Sequence, residues 1–286
     1  MKYGCGTTID NYSILQDLGF DYIELPGNQI SKMTDEEFDA LKTVLENGSV
    51  KCCGFNAALT PDIVITGEGY DLEKAKAYAE LLCKRGSQLH ISAIGIGSPK
   101  SRKFQEGDDL EKAWKETEAF MTMFADVAAP YGIIVMYESL NHTESVFGLR
   151  IREGADLVKK INRPNLKIVF DIYHMAMEQE DIQELEYALP YVHHIHIAER
   201  VGAERRYTSD ALYDYYKKLL TPVIRSGYQG AICTEAFDGD VREGAERSID
   251  LLKKIVAEIE QEVSDWSSDV CSSDLETGYF DRLCCR

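Results

Sequence analysis

Short apolar runs and amphipathic stretches alternate along this chain from one end to the other. Runs of strand length fall near 2–6, 21–25, 50–56, 89–96, 133–138, 167–172, 191–198 and 230–236. Between them, apolar positions recur at helical spacing near 10–18, 34–47, 71–86, 108–130, 150–161, 181–188, 210–226 and 242–262. Several boundaries carry their own signals. Thr34, followed three residues later by Glu37, reads as a capping box, and Asp10 is placed to cap the first helix. Gly19, Gly48, Gly86, Gly132 and Gly227 stand where helices should stop. Eight strand-then-helix units predict a parallel sheet with right-handed crossovers. A doubly wound sheet would accommodate them, but a closed (β/α)8 barrel, typically about 250 residues, matches the count better. The expected fold is α/β, a single barrel domain over residues 1–263.

The segment 264–286 breaks the pattern. Asp265-Trp266-Ser267-Ser268-Asp269-Val270-Cys271-Ser272-Ser273-Asp274-Leu275 has neither a helical nor a strand period, and it follows a helix that is already complete. It resembles the product of a sequencing-library adapter translated in frame, and is set aside as a fusion scar would be.

Composition narrows the class. With 44% apolar and 28% charged residues over 286 positions, the chain can bury a large core. No run approaches the ~20 apolar residues of a membrane span, and Met1-Lys2-Tyr3-Gly4-Cys5-Gly6 enters a strand directly, without a secretory stretch. A cytoplasmic protein with no membrane partner is expected. The formal charge of −18 argues against a nucleic-acid partner, because phosphate binding needs clustered Lys and Arg. A small neutral or weakly anionic ligand, and homo-oligomerisation, stay open. The eight cysteines form no Cys-x-x-Cys pair, and Cys52 and Cys53 are adjacent, which suits neither a zinc knuckle nor a disulfide scaffold. Cys5, Cys53 and Cys233 lie on predicted strands and read as reduced, buried apolar residues.

Four of the apolar runs end in a potential metal ligand. They are Ile133-Ile134-Val135-Met136-Tyr137-Glu138, Leu166-Lys167-Ile168-Val169-Phe170-Asp171, Tyr191-Val192-His193-His194-Ile195-His196 and Gly230-Ala231-Ile232-Cys233-Thr234-Glu235. A barrel gathers the C-terminal ends of its strands around one mouth, so two Glu, one Asp and one His would converge there. A lone strand-end carboxylate commonly caps the next helix or faces water. Three together repel one another unless a cation compensates them.

The ordered set Tyr137-Glu138-Ser139-Leu140-Asn141-His142-Thr143-Glu144, Phe170-Asp171-Ile172-Tyr173-His174-Met175, His194-Ile195-His196-Ile197-Ala198-Glu199 and Cys233-Thr234-Glu235-Ala236-Phe237 resembles the sugar isomerase and epimerase superfamily of xylose-isomerase-like TIM barrels. The likeness is greatest to ketose 3-epimerases of the tagatose and psicose type, and it covers residues 1 to about 262. The resemblance implies that Glu138, Asp171, His196 and Glu235 bind one divalent cation. Such a donor set suits Mn²⁺, Mg²⁺ or Co²⁺ better than the thiolate-rich sites of structural zinc. It also implies that Glu138 and Glu235 are the acid and base on two faces of a substrate carbon. The cation would hold two substrate oxygens and stabilise the enediolate. His174 would then hydrogen-bond substrate oxygens and Glu144 would support the substrate end. His193 and His194 read as structural, with His194 on the face of His196 and placed to support it from behind. The family carries an Arg about six residues after the metal His, where this chain has Gly202. Arg200, Arg205 or Arg206 would substitute at the distal end of the substrate, or would hold a phosphate with Lys100 and Arg102. Glu24, ending the second strand, could contact substrate, but a surface residue is the safer reading.

The expected activity is therefore a metal-dependent isomerase or epimerase acting on a small-molecule sugar, a ketose or ketose phosphate. Dehydration of a keto-inositol by a lyase would use the same site. An apurinic endonuclease-like enzyme would need His ligands from strands three and four, which here end Gly54-Phe55-Asn56-Ala57 and Gly95-Ile96-Gly97-Ser98. A non-catalytic sugar-binding barrel would be expected to have lost a ligand or an acid/base residue, and none is missing.

Overall fold

Each predicted strand forms, and together they close into a ring. The computed structural model describes residues 1–277, with side chains through Asp265. The barrel strands are β1 (Lys2–Gly6), β2 (Tyr22–Pro26), β3 (Lys51–Asn56), β4 (Ala93–Ile96), β5 (Ile134–Glu138), β6 (Leu166–Asp171), β7 (Val192–Ile197) and β8 (Ala231–Thr234). Each pairs in parallel with its chain neighbours, and β8 pairs with β1 to leave no free edge. The helices that return the chain are α1 (Tyr12–Asp17), α2 (Asp35–Asn47), α3 (Leu72–Gln88), α4 (Leu110–Ala128), α5 (Ile151–Ile161), α6 (Ile182–Ala188), α7 (Tyr213–Arg225) and α8 (Val241–Thr277). This is a single (β/α)8 barrel. None of its described helices is long and apolar enough to cross a membrane.

The two-residue period of the strands sorts side chains into two layers. Ile23, Leu25, Val135, Tyr137, Ile168, Phe170, Ile195, Ile197 and Ile232 point outward into one large apolar cluster shared with the helices. The alternate positions point into the barrel, where Tyr22, Ala231 and Cys233 form one small apolar group and Ala93, Met136 and Val169 another. Two residues further along the same strands, the inward positions turn polar.

Helix starts follow local chemistry. Thr34 Oγ1 accepts from the Glu37 amide at 3.2 Å while Glu37 accepts from the Thr34 amide at 2.8 Å, the reciprocal capping box. Asp71, Asp109 and Asp181 cap α3, α4 and α6 by accepting from backbone amides two or three residues on. These helix N-termini follow the C-terminal ends of the strands, so part of the acid excess is satisfied there.

Three local expectations are corrected. Asp10 does not cap α1: a 3₁₀ turn at Ile9–Asn11 moves the helix start on to Tyr12. Gly86 does not end α3, which continues to Gln88; a side chain there would press on Ile91 and Phe55, so the glycine permits close packing. Cys53 is only half-buried, and Cys52 takes the buried position.

The last helix also outruns its apolar pattern, continuing from Val241 to Thr277. Residues 264–277 contain neither Gly nor Pro to stop it. Residues 278–286 of the expected tail lie outside the described residues. We propose that the barrel is complete at Val263, whose side chain still packs on the core. Ending the chain there is expected to leave the thermal midpoint within about 2 °C of the full chain, the scale of a surface change. A larger drop in a melting curve would show that the tail belongs to the fold.

Candidate active site

Parity along the strands delivers the site residues. Stepping two residues toward the mouth from Met136, Val169, His194, Cys233 and Tyr22 gives Glu138, Asp171, His196, Glu235 and Glu24, all of them buried. Glu138 and Asp171 are the final residues of β5 and β6. Glu235 lies just past β8 and extends its ladder by donating its amide to Ile197 O at 3.0 Å. Glu138, Asp171, His196 and Glu235 each present one ligand atom within 4.8 Å of the others. The four residues singled out by the sequence thus share one point.

Each is oriented by its surroundings. Asp171 divides its carboxylate: Oδ1 accepts from the amides of Tyr173 (2.8 Å) and His174 (3.3 Å) and so caps a short helix, Ile172–Met177. Oδ2 is buried and makes no hydrogen bond, but it pairs with the Arg205 guanidinium 3.4 Å away. His196 Nδ1 faces Glu138 Oε1 at 3.1 Å and Glu235 Oε2 at 3.4 Å. Asn56, ending β3, donates to the other Glu235 oxygen at 3.0 Å. Glu138 is held from behind by Arg102, which donates to its carbonyl at 2.5 Å, to Gly97 O at 3.2 Å and to the Tyr137 hydroxyl at 3.0 Å. Arg102 is therefore committed to the backbone and is not free to hold a phosphate.

The arginine that the sequence left undecided is settled in position. Residues Glu199–Val201 and Glu204–Arg206 form an antiparallel hairpin closed by Gly202-Ala203. Gly202 has φ +64°, the left-handed conformation with which glycine leads a two-residue turn. Turning the chain here brings Arg205 of the returning strand inward, against Glu235 and His174. Its guanidinium is buried, bonds Glu235, donates to His174 Nε2 at 2.8 Å, and lies 4.0 Å from Glu144. It also stacks over Tyr173, 4.4 Å from the ring centroid. Arg200 and Arg206, the other two candidates, are not brought into the site. Arg200 donates to the carbonyls of Ala176 and Gly202, fastening the hairpin to the short helix, and Arg206 pairs with Glu204 in solvent. Glu144 stands at the rim, half-buried, and accepts from Asn141 at 3.1 Å.

Sequence reasoning missed three residues. Asn141 is fully buried and joins Glu144 to His174 Nδ1 at 2.9 Å. Asn56 sits behind Glu235. Glu24 is not on the surface but 3% exposed, bridging His194 and His196. The same two-residue alternation that marks the ligands would have placed Glu24 inward.

The electrostatics describe a site short of positive charge. Burial pushes the Asp171 carboxyl up to about 7; Arg205 opposes the rise, and Glu138 and Glu235 add to it. Burial also pushes Glu235 upward, but His196 and Arg205 outweigh it and hold this carboxyl below its ordinary value. Burial and Arg205 hold His174 well below the usual imidazole range, so it is a neutral ring. Burial disfavours charge on His196, yet Glu235 and Glu24 raise it well above that range. Three crowded buried carboxylates beside one imidazole fit a divalent cation bound by Glu138, Asp171, His196 and Glu235.

Comparison with known proteins agrees with this architecture. The chain belongs to the xylose isomerase-like TIM barrel family, whose profile matches residues 13–255. Within it, the chain is 34% identical over 240 residues to a ketose 3-epimerase of Arthrobacter globiformis, covering 79% of this chain and 76% of that one. It is 27% identical over 187 residues to a D-psicose 3-epimerase of Ruminiclostridium cellulolyticum, a match covering 64% of this chain and 63% of that protein, under two thirds of its length. An inosose isomerase of Halalkalibacterium halodurans is 21% identical over 282 residues, covering 90% and 95% of the two chains. Among solved structures, D-psicose 3-epimerase with D-tagatose from Clostridium cellulolyticum H10 superposes with a TM-score of 0.70 at 22% identity, covering 94% of this chain and 99% of that one. The last likeness is one of fold.

Gly97, just after β4, tests the geometry. A side chain there would meet the Glu138 carboxylate, a mobile group that can move aside. Gly97→Ala is expected to leave the fold intact but weaken Mn²⁺ binding about tenfold or more by displacing a ligand. Titration of the metal-stripped variant giving wild-type affinity would contradict this placement of Glu138.

Proposed function

We propose that this chain is a divalent-cation-dependent epimerase or isomerase of a ketose or ketose phosphate, which moves a proton between two carboxylates and one substrate carbon. The observation that carries the reading is the convergence of Glu138, Asp171, His196 and Glu235, four buried ligand-type side chains, on one point. Epimerase and isomerase names run through the relatives in sequence. When bound, Mn²⁺, Mg²⁺ or Co²⁺ supplies Lewis-acid polarisation of the substrate oxygens.

The chain's own residues do the rest. Glu138 and Glu235 come from strands separated by β6 and β7 in the ring, so they reach a substrate carbon from different sides. One removes the proton beside the carbonyl and the other returns a proton to the opposite face. Asn56 fixes Glu235 by one oxygen, while the other faces His196 and Arg205. Neutral His174, braced by Asn141, and Arg205 are placed to bind substrate oxygens, with Glu144 at the far end. Arg205 also covers the site and limits the entry of water.

A cyclic keto-inositol is the second substrate reading, favoured by the near end-to-end match to an inosose isomerase. A nuclease is disfavoured: among the described residues the metal-ligand groups are this one and Glu24, His194, His196 and Cys233, with no His from β3 or β4.

Chelation is expected to abolish turnover and Mn²⁺ or Co²⁺ to restore it; full activity in a metal-free preparation would overturn the reading. In D₂O, deuterium should appear at the inverted carbon, because each carboxylate exchanges its proton with solvent between turnovers. Water loss in its place would indicate the lyase. Glu138→Gln and Glu235→Gln should each lower kcat by ~10²-fold or more, with metal content measured on both variants.

The pH dependence has a defined sign. Without a cation, Asp171 holds its proton up to about pH 7, so cation and proton compete below that value. Mn²⁺ affinity should rise with pH through about 7 and go on rising above it, because His196, raised well above the usual imidazole range, must also give up a proton to bind the cation. Affinity that stays constant from pH 5 to 8 would remove Asp171 from the ligand set.

A further inference from the structure

Beneath the ligand cluster, one carboxylate touches two imidazoles. Glu24 reaches from β2 across the barrel interior to β7, where its Oε1 lies 2.5 Å from His194 Nε2 and its Oε2 lies 3.0 Å from His196 Nε2. All three residues are at most 3% exposed, so water does not share these contacts. The His194 ring stands edge-on to Tyr22 and to His196, with centroids 6.1 and 5.1 Å away, which fixes the carboxylate's second anchor.

We infer that Glu24 is a positioning residue that sets which nitrogen of His196 is offered to the bound cation. A carboxylate accepts hydrogen bonds and donates none, so the ring nitrogen facing it carries the proton. Nε2 of His196 faces Glu24, and a neutral ring must then present its lone pair on Nδ1. That nitrogen points at Glu138 and Glu235. Glu24 therefore selects the tautomer, aims the ring, and makes Nδ1 more basic, as a carboxylate behind a metal-bound imidazole does. His194 Nε2 lies against the other oxygen as a close ion-pair contact, without hydrogen-bond geometry, and packs that side of the carboxylate. The inference rests on the cation site proposed above and adds a residue that does not touch the cation.

The test separates this inference from the reading on which it rests. Metal-stripped wild type, Glu24→Gln, Glu24→Asp and His196→Gln are titrated with Mn²⁺, and free Mn²⁺ is followed by electron paramagnetic resonance. Wild type should bind one equivalent and His196→Gln should bind far more weakly; failure of that pair sinks the cation site itself. With that pair in place, Glu24→Gln should weaken binding about 10–100-fold. Its amide can satisfy one imidazole as acceptor but must donate to the other. Glu24→Asp keeps the charge but shortens the reach, and should fall between the two. Wild-type affinity in both Glu24 variants would overturn the inference. Should Glu24→Gln not fold, ¹⁵N shifts of the His196 ring in Zn²⁺-loaded wild type decide alone: a protonated Nε2 with Nδ1 bound is expected, and coordination through Nε2 overturns the proposal. Two equivalents of metal, with the second lost in Cys233→Ala, would also overturn it, because the layer beneath would then be a cation site of its own.

Discussion

Uncompensated negative charge inside a barrel mouth is the constraint around which this protein is arranged. Three carboxylates cannot be brought within 4.8 Å of one another in a buried place without an opposing charge. The protein meets part of that demand with Arg205 and with an imidazole flanked by acids, but Asp171 still retains its proton to about pH 7. A folded chain does not hold such strain for stability. Replacing the whole cluster by packed apolar side chains would serve the core better. Its presence fits the cation site proposed above.

The barrel makes this affordable by separating duties along each strand. Outward positions on β5 to β8 belong to one large apolar cluster shared with the helices. Inward positions carry small apolar groups lower down and polar groups at the mouth. The outer layer, which contains no part of the site, supplies the stability. Loops then add what the strands cannot reach: Asn141 and Glu144 after β5, the short helix after β6, and the hairpin after β7.

Much of this was legible in the sequence because it rests on period and order. Eight strands, eight helices and the four ligands follow from alternation, strand length and the rule that strand ends gather at one mouth. What failed did so for reasons outside local pattern. Asp10 was displaced by an extra 3₁₀ turn, and Gly86 answered to packing from Ile91 rather than to its helix. Three arginines near the hairpin were equivalent until its turn fixed which one faced inward. Asn141 gave no signal, because an Asn in a loop is ordinarily solvated. Glu24 was different: its parity was visible, and only the habit of assigning a lone Glu to the surface concealed it.

The hairpin after β7 has a consequence for how this protein can diverge. Loops above a barrel commonly change length among relatives, but here the guanidinium at the mouth is carried on paired strands whose residues alternate between two faces. A single-residue insertion or deletion on the returning strand would turn Arg205 outward and carry a neighbour inward. Were that neighbour Glu204, the mouth would gain a further acid and lose the guanidinium that bonds Glu235. Length variation at this hairpin should therefore be filtered toward changes of two residues, or toward loss of the whole unit.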